Sequence, residues 1–233
     1  MKRFYEKDVF KTNKITGEEF KHLKNVLRCD VGEEIICLNG DGNEYISEIT
    51  RIADGFAEIK IKEVKKCMRD PKINITVFMG LPKGDKFEFL IQKLSELGVS
   101  NLIPFESSFT IAKPKDKKLD RYKKLAVEAC KQCGRSKPLN VKECITFKNL
   151  LENVKNYETC YFAYENSLEG NFDDVKGQQN VAVIIGAEGG FSEEEAKKLI
   201  LAGAKEVSLG RRILRCETAP IFAVSVINYL TNN

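Results

Sequence analysis

Apolar residues fall with two different spacings along this chain, and the change comes near residue 73. Before it, "TGEEFKHLKNVLR" carries Phe20, Leu23 and Leu27 on one helical face. Thr16 stands at the N-cap and Glu19 three residues on, the arrangement of a capping box, so a short amphipathic helix is expected there. The segments "EEIICL", "EYISEITRI" and "FAEIKIKEV" follow, separated by "NGDGN" and "ADG". Short β-rich runs punctuated by Gly, Asn and Asp predict a small barrel over roughly the first 70 residues, with "KKCMRDPK" as linker. From residue 73, continuous apolar runs ("INITVFMG", "NLIPF", "TCYFAY", "NVAVIIGA", "KEVSL") alternate with helical patterns over "DKFEFLIQKLSELG", "KLDRYKKLAVEACKQCG", "SEEEAKKLILAG" and "FAVSVINYL". This rhythm predicts an α/β domain whose parallel sheet is covered on both faces.

Ligands of such sheets bind outside the carboxyl ends of the strands, which singles out two loops. The first, "GAEGGFSEEE", places Gly186, Glu188, Gly189 and Gly190 after an apolar strand and enters a helix through Ser192, with Glu195 completing a second capping box. A tight strand-to-helix turn is the plain alternative. The loop is neither GxGxxG nor a phosphate loop, and Glu188 would repel a phosphate, so a cofactor with a cationic centre, or one gripped by backbone hydrogen bonds, suits it better. The second loop, "LGRRILRCETAP", crowds Arg211, Arg212, Arg215 and Glu217 into seven residues. Guanidinium forks suit phosphates and bases; the alternative is a solvated turn with Arg215 paired to Glu217.

Composition narrows the chemistry. The chain has 233 residues, 42% hydrophobic and 31% charged, as expected of a folded globular protein. It shows neither a signal-peptide pattern nor an apolar run long enough to span a bilayer, so a soluble, cytoplasmic protein is expected, with no membrane partner. Net charge is only +4, but residues 73–150 hold 15 basic and 8 acidic side chains. The helical pattern from Asp116 to Gly134 is read as burying Leu119, Tyr122, Leu125, Ala129 and Cys133 and turning Lys117, Lys118, Arg121, Lys124 and Lys131 outward, with Arg135 and Lys137 extending a basic patch. This is either a solvated face or a polyanion footprint. Lys2, Arg3, Phe4 and Tyr5 would add basic and stacking groups. His22 is the only histidine and lies far in sequence from both loops, which disfavours histidine-based catalysis. The eight cysteines are scattered, and Cys130 and Cys133 lack a second pair to complete a zinc site, so no metal is expected.

The stretches "IGAEGGFSEEE" and "LGRRILRCETAP", with "LPKGDKFEFLIQKLSELGV", "EACKQCGR" and "HLKNVLR", closely resemble the RsmE family over essentially the whole chain. That resemblance implies a 16S ribosomal RNA methyltransferase of the SPOUT superfamily acting on N3 of a uridine, uridine 1498, in the small ribosomal subunit. It also implies a PUA-like β-barrel over 1–70, a trefoil-knotted α/β methyltransferase domain over 73–233, S-adenosyl-L-methionine as cofactor, and a homodimer. Carried over by motif, the cofactor would lie against Tyr164, Gly186, Glu188, Gly189, Gly190, Leu209, Gly210, Leu214 and Cys216. Arg212, Arg215, Glu217 and Glu188 would serve catalysis, and Arg3, His22, Arg28, Lys83, Arg135 and Arg211 would contact RNA. Ala187 stands where the family usually has proline. A tRNA-modifying relative, or a non-catalytic RNA-binding assembly factor, would share much of this outline.

Overall fold

The computed structural model describes residues 1–82, 85–110, 118–167 and 170–231, and Lys83 and Lys117 lie outside them. The chain forms two compact units, Met1–Asp70 with Cys130–Pro138, and Pro71–Ala129 with Leu139–Asn233. Segment 130–138, expected to belong with the second unit, thus falls in the first.

The first unit is built from β1 (Arg3–Tyr5), α1 (Val9–Thr12), β2 (Lys14–Thr16), α2 (Gly17–Lys21) running into a π turn (His22–Val26), β3 (Glu34–Leu38), β4 (Asn43–Ala53) and β5 (Phe56–Lys66). Its sheet has the order β1-β3-β4-β5-β2, with β1 parallel to β3 and the other pairs antiparallel. Phe4, Ile15, Leu23, Ile35, Cys37 and Ile49 close its core with no exposure. The capping box expected at Thr16 does not form: the Thr16 hydroxyl donates to Glu6 Oε2, while Glu19 accepts from Tyr5 N and from Lys131 Nζ at 2.6 Å. A tertiary cation and a strand-edge amide outcompete the local cap.

The basic patch expected around Lys131 and Arg135 is also corrected here. Lys118 is half-buried and Arg121 and Lys124 are exposed, but Lys131 and Arg135 are buried within the first unit. Arg135 Nε faces Asp70 Oδ1 at 3.9 Å, and Asp70 accepts the backbone N–H groups of Ser136 (3.0 Å) and Lys137 (3.1 Å) and the Ser136 hydroxyl. Charges removed from water need such partners. Asp70→Ala is therefore expected to destabilise the first unit by about 3 kcal/mol, read as a lowered denaturation midpoint.

The second unit holds β6 (Asn74–Gly80), α3 (Lys86–Glu96), β7 (Asn101–Glu106), most of α4 (Leu119–Cys133), β8 (Asn140–Val141), β9 (Ile145–Thr146), α5 (Phe147–Val154), β10 (Thr159–Ala163), β11 (Asn180–Ile185), α6 (Glu193–Ala202), β12 (Lys205–Val207) and α7 (Thr218–Thr231). The strands run in the order β12-β10-β11-β6-β7-β8, with β9 also on β7, and every pair is parallel. The pleat explains the continuous apolar runs. Val181, Val183 and Ile185 of β11, with Ile75, Val77 and Met79 of β6, point to one face, where Leu90, Ile91 and Leu94 of α3 and Ala223, Val224 and Ile227 of α7 cover them. Ala182, Ile184 and Phe78 point to the other, under Leu150 of α5 and Leu199 of α6. A strand buried on both sides leaves few positions for a polar residue, and Thr76, buried in β6, accepts from Asn101 Nδ2 at 3.1 Å.

Helices α6 and α7 start by different means. At α6 the Glu195 N–H donates to Ser192 Oγ at 3.2 Å and the Ser192 N–H to Glu195 Oε2 at 3.0 Å, so this capping box does form. Helix α7 begins four residues before the expected Phe222, because Pro220 is tolerated in a first turn and the N–H groups of Thr218 and Ala219 both reach Arg215 O. No helix among the described residues is long and apolar enough to cross a membrane.

Candidate active site

Strands β12, β10, β11 and β6 are consecutive in the sheet and parallel, so their carboxyl ends, Val207, Ala163, Ile185 and Gly80, open along one edge. The loops leaving that edge line a cavity of about 580 Å³, within the usual range for small-molecule sites of about 300–1,000 Å³.

One wall is the glycine loop. The Gly190 N–H donates to Ala187 O at 2.9 Å, closing a tight turn, and Gly190 adopts φ +66°, a conformation that favours glycine. A Cβ at Gly190 would lie 2.5 Å from Oε1 of Glu165, and one at Gly186 would lie 2.9 Å from Gly190. Gly80, the last residue of β6, is held to glycine by the same loop, since a Cβ there would drive into the backbone nitrogen of Ala187. The glycines bring bare backbone to the cavity surface, where its N–H and C=O groups can meet a ligand directly.

The opposite wall is the arginine loop. Leu209, Gly210, Arg211, Arg212, Ile213, Leu214, Arg215 and Cys216 all line the cavity, and all three arginines are exposed. Every residue expected to hold a cofactor is on the cavity wall: Tyr164, Gly186, Glu188, Gly189, Gly190, Leu209, Gly210, Leu214 and Cys216. Of the four expected catalytic residues, Arg212, Arg215 and Glu188 are there too.

Glu217 is not on the wall. It stands one layer behind, its side chain 18% exposed, and it pairs with Lys86 rather than with Arg215. Lys86 Nζ lies 3.3 Å from Glu217 Oε2, 3.4 Å from Glu188 Oε1 and 3.7 Å from Cys216 Sγ, and the Cys216 thiol donates to Glu217 Oε2 at 3.2 Å. Burial alone would push Glu217 up, but its own backbone amide, the Cys216 thiol and the Lys86 ammonium outweigh it and hold the carboxyl below its usual range. Burial pushes the Cys216 thiol up to about 12. The Lys86 ammonium is held above the usual lysine range by the Cys216 sulfur and by Glu217 and Glu188. Because Cys216 stays a neutral thiol to about 12, the two carboxylates are the charges Lys86 meets at neutral pH. Lys86 and Glu217 are thus both ionised there.

Lys86 is the charged wall residue that motif reasoning misses, whereas Glu165 stands in the loop after "CYFAY", which the family resemblance places at the pocket. Both follow the carboxyl ends of strands, β6 and β10, so the strand-end rule applied to every loop would have found them.

The residues expected to touch RNA divide differently. Arg211 lines the cavity, and Arg28 is exposed at φ +47°. His22 is half-buried, edge-on to Phe4, with ring centres 6.3 Å apart. Arg3 is instead largely buried, its Nη2 bonded to Glu44 Oε1 at 2.7 Å, and Arg135 is the buried partner of Asp70. Phe4, expected as a stacking group, is a core residue. Arg3, Arg135 and Phe4 serve the interior of the first unit: Phe4 fills its core, and the two guanidinium groups, costly to take out of water, are set against Glu44 and Asp70.

A parallel sheet with a glycine- and arginine-walled cavity at its carboxyl edge is matched over residues 69–228 by the family model for an RNA methyltransferase domain, and residues 15–62 by that for an RNA methyltransferase PUA domain. The chain is thus an RNA methyltransferase. It is 35% identical to ribosomal RNA small subunit methyltransferase E of Bacillus subtilis, over 94% of this chain and 91% of that one, and 31% identical to the Synechocystis protein of the same name, over 93% and 72%. The crystal structure of the Neisseria gonorrhoeae ribosomal RNA small subunit methyltransferase E bound to S-adenosyl methionine superposes with a TM-score of 0.90 at 29% identity, covering 99% of this chain and 98% of that one. The chain belongs to the ribosomal RNA small subunit methyltransferase E family, RsmE.

Proposed function

We propose that this protein methylates N3 of one uridine of 16S ribosomal RNA, uridine 1498 in the family's terms, with S-adenosyl-L-methionine bound in the cavity at the carboxyl edge of the second unit's sheet. The observation that carries this is the pairing of two unlike walls. Bare glycine backbone and a carboxylate suit a nucleoside with a cationic centre, and three exposed guanidinium groups face them across the same space. The bound cofactor supplies an electrophilic methyl group on sulfur. The chain's residues do the rest.

Uridine N3 must lose a weakly acidic proton before it can attack a methyl group. Glu188, the catalytic carboxylate on the wall, accepts that proton, and Glu217 behind it acts through Lys86. The charge left on the ring spreads to O2 and O4, where Arg212 and Arg215 stabilise it without having to reorganise. Arg211 holds RNA beside the cavity of the second unit, and Arg28 and His22 are contacts of the first unit to RNA. The base must be exposed, or drawn out of its stack, to enter.

The same reading includes a trefoil knot and a homodimer. Segment 170–179 runs beside the end of β12, with the Ser208 N–H donating to Gly170 O at 2.9 Å, and its Phe172 and Val175 share a face with α7, which supports threading. Ile213, Phe222 and Tyr229 stand exposed on the arginine loop and α7, which supports subunit pairing there.

The test is transfer of labelled methyl from S-adenosyl-L-methionine to small ribosomal subunits from a strain lacking this gene, with free 16S RNA and bulk transfer RNA in parallel. Appearance of 3-methyluridine in the small-subunit RNA is the expected result. Label confined to transfer RNA, or none anywhere, would overturn the reading. RNA affinity should fall steeply between low and physiological salt, with a log–log slope set by the number of phosphates contacted.

A further inference from the structure

Lysine has three donor hydrogens, and Lys86 meets three acceptors from two loops. Glu188 Oε1 belongs to the glycine loop; Cys216 Sγ and Glu217 Oε2 belong to the arginine loop; Lys86 itself opens α3, the helix after β6. The cluster therefore joins three chain segments that the sheet brings together. Glu188 and Glu217 would repel each other across this space if no cation stood between them.

We infer that Lys86 is a positioning residue for methyl transfer: its ammonium, anchored behind the wall by Glu217, fixes the Glu188 carboxylate at the cavity surface and ties the glycine loop to the arginine loop. This rests on the reading of Glu188 as proton acceptor. Glu217 suits the anchoring role better than a proton-accepting one, because it is off the wall and its carboxyl, held below the usual range, is a weak base with a permanent charge. The neutral Cys216 thiol gives this anchor a second donor without adding charge. In the step itself the N3 proton passes to a Glu188 oxygen, the N3 electron pair forms the bond to the methyl carbon, and the bond from that carbon to sulfur breaks with its electrons staying on sulfur.

Among the described residues, the titratable and charged groups around Glu188 include Lys86 and its neighbour Asp85 from α3, Glu165 and Tyr164 from the loop after β10, and Arg211, Arg212, Arg215, Cys216 and Glu217 from the arginine loop. Lys86 Nζ lies within ion-pair distance of the Glu188 carboxylate, at 3.4 Å. Removing it leaves a carboxylate that protonates at higher pH.

The experiment is single-turnover methyl transfer to unmodified small ribosomal subunits across pH, on full-length K86M, K86R, E217Q and E188Q proteins, with cofactor affinity measured by calorimetry. K86M should move the acid limb of the rate to higher pH and lower the rate constant on that limb about tenfold, part of the roughly 10²–10⁴-fold that a general base contributes. E217Q removes an anion together with the anchor, so it should lower the rate constant without moving the limb to higher pH, and K86R should restore the wild-type limb. Cofactor affinity should change less than threefold throughout. Should K86M not fold, K86Q reads the same limb. A K86M or K86Q enzyme with the wild-type limb and rate overturns the inference, as does a loss of cofactor affinity that by itself accounts for the lost rate. E188Q separates the two levels. If it keeps both limb and rate, Glu188 is not the acceptor and the functional reading falls with it. If it abolishes the limb while Lys86 substitutions leave the limb in place, the positioning role alone is wrong.

Discussion

Replacing Arg212 and Arg215 together by alanine is expected to lower methyl transfer at least 10³-fold while leaving fold and cofactor binding intact. Preorganised charge aimed at a developing oxyanion is commonly the largest electrostatic contribution to such a step, and loss of one donor costs roughly 10²–10³-fold. Both guanidinium groups line the cavity and are exposed, and among the described residues neither has an ion-pair partner, since Glu217 is paired with Lys86. Their removal leaves no buried group unsatisfied, so the thermal midpoint should move little. Transfer kinetics with saturating cofactor, beside calorimetry of cofactor binding, check the expectation. Wild-type turnover in the double variant would remove the arginine loop from the chemistry.

Gly80→Ala should have the second largest effect, for a steric reason. The added Cβ would overlap the Ala187 backbone nitrogen and the Gly186 carbonyl carbon, and backbone at the end of a central strand has no rotamer by which to escape. Either β6 or the glycine loop must shift. Overpacking of this kind costs about 1–3 kcal/mol, a fall of roughly 2–12 °C in the thermal midpoint for a chain of this size. Because the loop lines the cavity proposed to hold the cofactor, binding should weaken by at least tenfold. Gly203→Ala is the control: its Cβ would meet nothing within 4 Å, φ +100° there strains only the C-cap of α6, and Gly203 is not among the residues that line the cavity. A Gly80→Ala protein that binds the cofactor normally would show that the loop has room to move.

Particular residues show where sequence was enough. Val181, Val183 and Ile185 alternate with Ala182 and Ile184 in a run without a polar residue, and only a strand with two dry faces fits that pattern. Ser192 and Glu195 form their capping box because both partners are local and nothing else claims them strongly enough to break it, even though Glu195 also accepts the Ser108 N–H. Thr16 and Glu19 carry the same signature and fail, because Lys131 and the Tyr5 amide, distant in the chain, hold Glu19. Short-range geometry was legible; competition from far along the chain was not. Arg135 and Lys131 make the same point, since charge on or just past a helix reads as solvated until a partner 65 or more residues away is in place.

The sequence by itself determined the α/β class of the second unit, the β-rich first unit, the two loops that form the cavity walls and the family to which the chain belongs. Those are properties of local spacing: period-two and period-3.6 burial, glycine where backbone must turn or be approached, and motifs short enough to read in one stretch. Tertiary structure alone decided which charges face the ligand and which face each other. It set Lys86 between Glu188 and Glu217, residues 102 and 131 positions away, by laying β6 beside β11 and returning the chain through α7. It drew Glu217 behind the wall and turned Arg3 and Arg135 inward. Electrostatic roles depend on distances of 3–4 Å and on exclusion of water, and neither exists until the strands are paired.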